Sequence, residues 1–268
     1  MPRCIPNVMT IAGSDSGGGA GVQADLKTIS ALGAYGASVI TALTAQNTRG
    51  VTAIHTPDAA FVTAQLDAVF GDIRIDAVKI GMLANAAIVR AVAAAVRRYA
   101  PPCVVLDTVM ISKSQHALLE PDAVAALRDE LLPLATLVTP NLPEAAALLG
   151  FAPADDEPAM LRQGEALRAL GAQAVLMKGG HLAAADSPDW LIDASGTQRF
   201  GGPRIAVSHT HGTGCTLSSA IAALAPQRPD LVSAIADAKA YLLDALRESG
   251  RLDVGGGAGP LHHFHRWW

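Results

Sequence analysis

Short apolar runs rich in β-branched residues recur along the chain at 8–12, 37–43, 77–82, 103–110, 137–139 and 174–177. Between them, segments 22–32, 61–70, 86–99, 123–132 and 160–170 repeat apolar residues at three- and four-residue spacing, as amphipathic helices do. The strand runs show little polar alternation, which predicts burial on both faces and therefore a mostly parallel sheet sandwiched between helices. Segments 190–193 and 198–205 differ, with Ser195-Gly196 as a turn signal between them, and read as a small hairpin at the sheet edge. Further helical patterns cover 217–224 and 235–246. Apart from the glycine run at 255–259 no linker or repeat interrupts the pattern, so one domain spanning 1–268 is the economical count.

Composition narrows the possible functions. With 268 residues, half of them hydrophobic and 16% charged, the chain can bury one large core. A net charge of −4 supplies no basic field of the kind that holds nucleic acid or anionic lipid. Cys4, Cys103 and Cys215 lie far apart, which argues against a disulfide framework or a zinc cluster and fits a reducing cytoplasm. The stretch 1–6 lacks a signal-peptide hydrophobic region, and the Ala-rich segment 83–96, broken by Asn85 and Arg90, is too short to span a bilayer. A soluble, intracellular protein is expected.

Three turns could carry chemistry. Gly13-Ser14-Asp15-Ser16-Gly17-Gly18-Gly19-Ala20-Gly21 follows a predicted strand and precedes a helix, where glycines let backbone approach a ligand, although it matches neither common nucleotide fingerprint and could be a flexible turn. His209-Thr210-His211-Gly212-Thr213-Gly214-Cys215-Thr216 opens a helix with small residues, so its amides can form a nest for a phosphoryl group; a tight Thr-capped turn is the alternative. Thr139-Pro140-Asn141-Leu142-Pro143-Glu144 reads as a helix cap. Read functionally, it puts Asn141 and Glu144 beside a cleft, where their oxygens would order a hydrated Mg²⁺ on ATP phosphates. Lys178 ends an apolar run and should emerge at the carboxyl edge of the sheet, facing phosphate, whereas Lys239 could be a solvated helix charge.

Taken in order, these segments resemble the hydroxymethylpyrimidine/phosphomethylpyrimidine kinases of thiamine biosynthesis, within the ribokinase-like superfamily. The resemblance runs through Ala12-Gly13-Ser14-Asp15, Gly19-Ala20-Gly21-Val22-Gln23-Ala24-Asp25-Leu26-Lys27, 38–48, Lys79-Ile80-Gly81-Met82, 105–110, 139–149, 176–181, 209–217 and the tail 259–264.

The resemblance implies a three-layer α/β/α sandwich that binds ATP at one end of a cleft and the pyrimidine at the other. It implies two successive phosphorylations, alcohol to monophosphate and monophosphate to pyrophosphate, and a homodimer. By resemblance Gly13, Asp15, Gln46, Met82, Val109 and Cys215 surround the pyrimidine. The chemistry agrees, since a carboxamide such as Gln46 complements an aminopyrimidine edge and Met82 and Val109 supply an apolar clamp. Asp107, Asn141 and Glu144 fall near Mg²⁺, with Asn141, Lys178, Thr213 and Lys239 near the ATP phosphates. Gly212, Gly214, Cys215 and Lys178 are the expected catalytic group, and the Cys215 thiol could act as base if the helix N-terminus lowers its pKa.

Departures are few. The chain reads Asp15-Ser16-Gly17-Gly18-Gly19 where some relatives have a second serine, and lacks a lysine that some carry near Gly256. His262, His263 and His265 could be a metal cluster, but a docked aromatic tail with Phe264, Trp267 and Trp268 is the expected reading. Pyridoxal kinase is the nearest rival, sugar kinases of this fold have Asp in place of Cys215, and a silent pyrimidine sensor would not need Asp107, Glu144 and Lys178.

Overall fold

Among the described residues, 4–110, 120–182 and 186–268 of the computed structural model, nine strands join in one sheet. They are β1 (Asn7–Asp15), β2 (Tyr35–Asn47), β3 (Gly50–His55), β4 (Ala77–Ile80), β5 (Val104–Leu106), β6 (Leu137–Val138), β7 (Val175–Lys178), β8 (Asp189–Asp193) and β9 (Gly196–Phe200), in the order 3-2-1-4-5-6-7-8-9. The strands from β2 through β7 in that order run parallel, while β3 at one edge and β8 and β9 at the other pair antiparallel.

Both faces of the central strands are apolar. Met9, Ile11, Val78, Ile80, Leu106 and Val138 pack against α2 (Ala59–Asp72), α3 (Ala86–Tyr99), α4 (Pro121–Ala126), α5 (Leu142–Leu149) and α6 (Glu157–Ala169). Val8, Ala77, Val105, Leu137 and Leu176 face the other way, onto α1 (Gly21–Ala31), α7 (Thr213–Leu224) and α8 (Leu231–Arg247). This double burial is why the strand runs lack alternation. The expected α/β/α sandwich with a mostly parallel sheet and an edge hairpin is the architecture found.

From β1 the chain moves outward to β2 and returns to β4 on the opposite side of β1. Helices therefore leave β1 and β4 in opposite directions and open a crevice beyond their carboxyl ends, the usual ligand position in such sheets.

Several boundaries differ from the sequence expectation. The run at 37–43 is part of a 13-residue strand that turns back into β3. That strand buries only Val51, so it carried no hydrophobic signal. The helix expected at 123–132 loses α geometry after Ala126, passing through a π turn at Leu127–Leu131 and a 3₁₀ turn at Leu132–Leu134, where Pro133 has no N–H to continue the ladder. The run 103–110 is strand only to Leu106, and 198–205 only to Phe200, after which Gly201-Gly202-Pro203 breaks it. The tail docks as expected, through the buried Leu261, His262 and His263 and the half-buried Phe264, on which Trp268 stacks while also packing against His262, although Trp267 and Trp268 stay 68% and 64% exposed. Among the described residues no helix is long and apolar enough to cross a membrane; the reading of residues 1–3 lies outside them.

Candidate active site

The carboxyl edge of the sheet gathers the charged groups. Lys178, the last residue of β7, places Nζ 3.2 Å from Asp107 Oδ1, just beyond β5, and 3.9 Å from Glu144 Oε2. Asp107 also accepts from Ser218 Oγ at 3.1 Å and, more weakly, from Thr139 Oγ1 at 3.4 Å. Glu144 closes a capping box at the start of α5: Asn141 N donates to Glu144 Oε2 and Glu144 N to Asn141 Oδ1, both at 2.9 Å. Thr108 Oγ1 donates to the same carboxylate at 3.0 Å. The helix-cap reading of this segment is thus structurally real, and it leaves the carboxylate facing the cleft.

Burial is the largest influence on each of these groups, and the charges decide the outcome. Burial raises the Asp107 carboxyl, but Lys178 and Lys79 pull it below its ordinary value. The Lys178 ammonium is held above its usual value by Asp107 and Glu144 despite burial. Glu144 goes the other way, raised by burial and by Asp107 in spite of Lys178. One ammonium therefore does not neutralise two buried carboxylates, an excess of negative charge that oxygen ligands and a hydrated divalent cation would relieve. The donors fit Mg²⁺ held through few protein ligands; among the described residues no group of three or more His, Cys, Asp or Glu forms a self-sufficient metal cage.

Opposite these groups α7 begins without a side-chain cap. Its cap residue, Gly212, has φ 82°, and a Cβ there would lie 1.9 Å from the Gly19 carbonyl oxygen, so only glycine fits. The first-turn amides that follow, at Thr213, Gly214 and Cys215, have no intrahelical partner by the geometry of a helix and carry the positive end of its dipole. A Cβ on Gly214 would stand 3.6 Å from Lys178 Nζ, so the ammonium and the helix start converge. Ser218, one turn on, ties the same helix to Asp107. Burial pushes the Cys215 thiol up to about 11, with Lys79 opposing and Asp25 and Asp107 adding to the rise. The thiol thus stands above its ordinary value, so the condition on which it could act as base, a pKa lowered by the helix terminus, is not met.

Two cavities meet at this point. One, of about 190 Å³, has Gly13, Gln46, Met82, Val109, Asp15 and Cys215 in its wall. The other, of about 440 Å³, runs out between Leu217, Leu242, Leu243, Leu246 and the segment 202–205. Lys178, Asn141, Thr213 and Gly214 line both. Every residue singled out for the small-ligand side thus lies in one cavity, which Asp107 and Glu144 also line. Lys239 borders the larger cavity, but its Nζ donates to Asp189 Oδ2 at 2.7 Å, Phe200 O at 2.8 Å and Ser187 O at 3.3 Å, so its charge also anchors the edge hairpin. Asp15 accepts from Gly17, Gly19 and Ala20 amides and touches His211.

Sequence reasoning assigned no role to Lys79, Asp25 or His211. Lys79 Nζ donates to both Asp25 carboxylate oxygens at 2.9 Å, fully buried, and Thr10 and Ser219 hydroxyls complete the cluster. A lysine in the middle of the apolar run 77–82 was the available signal, since an unpaired charge does not survive there.

Comparison with known proteins agrees with this geometry. The model of the phosphomethylpyrimidine kinase family matches residues 15–262. The hydroxymethylpyrimidine/phosphomethylpyrimidine kinase of Escherichia coli is 59% identical over 98% of both chains, and that of Rhizobium meliloti 56% identical over 97% of both. Among solved structures, phosphomethylpyrimidine kinase from Clostridium difficile superposes with a TM-score of 0.80 at 42% identity, covering 90% of this chain and 99% of that one. An ADP complex of Bacillus subtilis pyridoxal kinase gives 0.89 at 34% identity, covering 97% and 98%.

Proposed function

The chain belongs to the phosphomethylpyrimidine kinase family, and from that premise we propose that it uses ATP to phosphorylate 4-amino-5-hydroxymethyl-2-methylpyrimidine and then the resulting monophosphate, yielding the pyrophosphate used in thiamine biosynthesis. The observation that carries the reading is the shared wall: two cavities of different shape meet at Lys178, Asn141, Thr213 and Gly214. A group passed from one ligand to another must cross such a wall.

The small cavity takes the pyrimidine, with Gln46 on its polar edge and Met82 and Val109 against the ring. The larger cavity takes ATP, its base among the leucines of α8 and its phosphates toward Lys178 and Thr213, with Lys239 at the rim. In the first step the alcohol oxygen bonds to the γ-phosphorus, the bond to the bridging oxygen breaks, ADP leaves and the hydroxyl proton is released. In the second the nucleophile is an oxygen of the monophosphate, already anionic. The charge that spreads over the transferring group is met by the amides of Gly212–Cys215 and by Lys178, which are fixed before the reaction begins. With its thiol protonated, Cys215 contributes through its backbone and its bulk. Asp107, Asn141 and Glu144 would hold Mg²⁺, which supplies charge neutralisation of the polyphosphate.

Purified protein supplied with ATP and the aminopyrimidine should accumulate monophosphate and then pyrophosphate in a chromatographic time course. Faster turnover of pyridoxal under the same conditions would overturn the substrate assignment. The sequence resemblance further supports a single catalytic domain acting as a cytoplasmic homodimer, and sedimentation at assay concentration tests the dimer.

A further inference from the structure

His211 stands between two groups of the small cavity. Its Nε2 lies 2.9 Å from Asp15 Oδ2 and 3.1 Å from Gln46 Nε2, while Gln46 Oε1 lies 3.0 Å from Thr44 Oγ1. Proton accounting settles who donates. Asp15 is ionised: burial raises its carboxyl, but His211 and the Gly17 and Ala20 amides draw it below the ordinary value, and it already accepts three backbone N–H groups. A carboxylate only accepts, so His211 Nε2 must carry the proton it shares with Asp15. An amide nitrogen facing that N–H would set donor against donor.

Thr44 leads to the same result independently. Its hydroxyl has one proton, and the carbonyl of Ser14 takes it at 2.8 Å. Thr44 Oγ1 therefore presents a lone pair toward Gln46 and calls for an amide N–H. The two ends of a carboxamide are distinguished by their partners, and both partners here require the same exchange: oxygen toward His211, nitrogen toward Thr44.

We propose that His211, held by Asp15, fixes the orientation of the Gln46 carboxamide and thereby selects which way round the aminopyrimidine binds; the proposal rests on the substrate reading given above. With Oε1 on the His211 side, the exocyclic amino group pairs there and the ring nitrogen pairs on the Thr44 side. The hydroxymethyl carbon is attached next to the amino carbon, so it lies on the His211 side as well. His211 immediately precedes Gly212, whose helix start receives the phosphoryl group. The opposite amide orientation would turn the hydroxymethyl group toward Thr44 and away from it. The imidazole is itself positioned, since His211 N donates to Gly259 O at 3.1 Å and a Cβ on Gly19 would sit 2.5 Å from its ring. Asp15 and His211 are positioning residues in this scheme.

The test compares the 4-amino substrate with its 4-oxo counterpart, which presents acceptor and donor in reversed order. The wild type should favour the amino compound by about 100-fold or more in kcat/KM, because a mispaired polar edge leaves buried groups unsatisfied. His211→Phe leaves Thr44 alone to orient the amide, and the preference should fall by about tenfold while KM for ATP stays within about twofold. An unchanged preference in His211→Phe would overturn the proposal, whereas a wild type inactive on the amino compound would instead remove the substrate reading. A measurement on the ligand-free wild type needs neither variant nor turnover: the imidazole ¹⁵N resonances of His211, assigned through sequence-specific backbone correlations, should show a protonated Nε2. An unprotonated Nε2 would overturn the proposal outright.

Discussion

Lys178, in the wall common to both cavities, places its Nζ 3.2 Å from Asp107 Oδ1, which lines the smaller one. The pair joins the end of β7 to the end of β5, and Glu144 stands 3.9 Å from the same ammonium. Lys178→Met removes the one positive charge among these groups. Loss of a fixed donor to the transferring group should lower kcat about 10²–10³-fold with little change in KM for the pyrimidine. Steady-state kinetics in each substrate separates the two effects. Lys178→Arg should recover little, because a planar fork does not reproduce a compact ammonium in this confined corner.

Cys215→Ala tests whether the thiol takes part. A thiol near 11 is protonated throughout the working pH range. Both phosphorylation steps should therefore lose activity by similar factors, each less than about tenfold, as expected for lost packing rather than a lost base. A much larger loss in the alcohol step than in the monophosphate step would show that the thiol does accept the proton. The exposed Cys4 should react with iodoacetamide well before Cys215 at neutral pH.

The physical reasons for what the sequence did and did not disclose are local. Central strands were legible because Ile11, Ile80 and Leu106 must be apolar on a sheet covered from both sides. Lys178 was legible because a charge at the end of such a run has one place to go. β3 was not, since an edge strand with one buried side chain has no hydrophobic face to announce it. The role of His211 was equally hidden, because it depends on Asp15 and Gln46, 196 and 165 residues away along the chain. Motif reading places residues at a site; it does not count their protons.

Gly212→Ala probes the helix start directly. At φ 82° an alanine is strained, and its Cβ would also have to displace the Gly19 carbonyl from 1.9 Å. The two effects together should cost more than about 1 kcal/mol of stability and shift the Thr213, Gly214 and Cys215 amides. A fall in kcat exceeding the change in either KM is expected, with a lowered urea midpoint. Unaltered kcat in a folded variant would mean that these amides do not receive the transferring group.

The buried pair Lys79 and Asp25 should behave as a unit. Removing either partner alone leaves an uncompensated charge with no water to solvate it, a loss of about 3–5 kcal/mol. Lys79→Met combined with Asp25→Asn should be less destabilised than the sum of the single variants by more than about 1 kcal/mol. Urea unfolding of the four proteins closes the cycle. Additivity would mean that the pair is not coupled.

The tail supplies a pH dependence whose sign follows from burial. His263 packs under α7 and α8, with its Nε2 3.0 Å from Thr216 Oγ1 and its carbonyl accepting from Tyr241 Oη at 2.7 Å. Burial, reinforced by Lys27, His262 and His265, pushes its imidazole down from 6.5 to about 3. A depressed value means that the folded protein keeps this ring neutral while the unfolded chain, at 6.5, takes up a proton. The stabilisation is therefore complete above the unfolded value and is lost as pH falls from 6.5 toward about 3. Its slope is at most about 1.4 kcal/mol per pH unit. Urea midpoints measured from pH 7 to pH 4 should fall more steeply for the wild type than for His263→Gln, which cannot take the proton. Parallel slopes for the two proteins would mean that His263 is not the group that titrates.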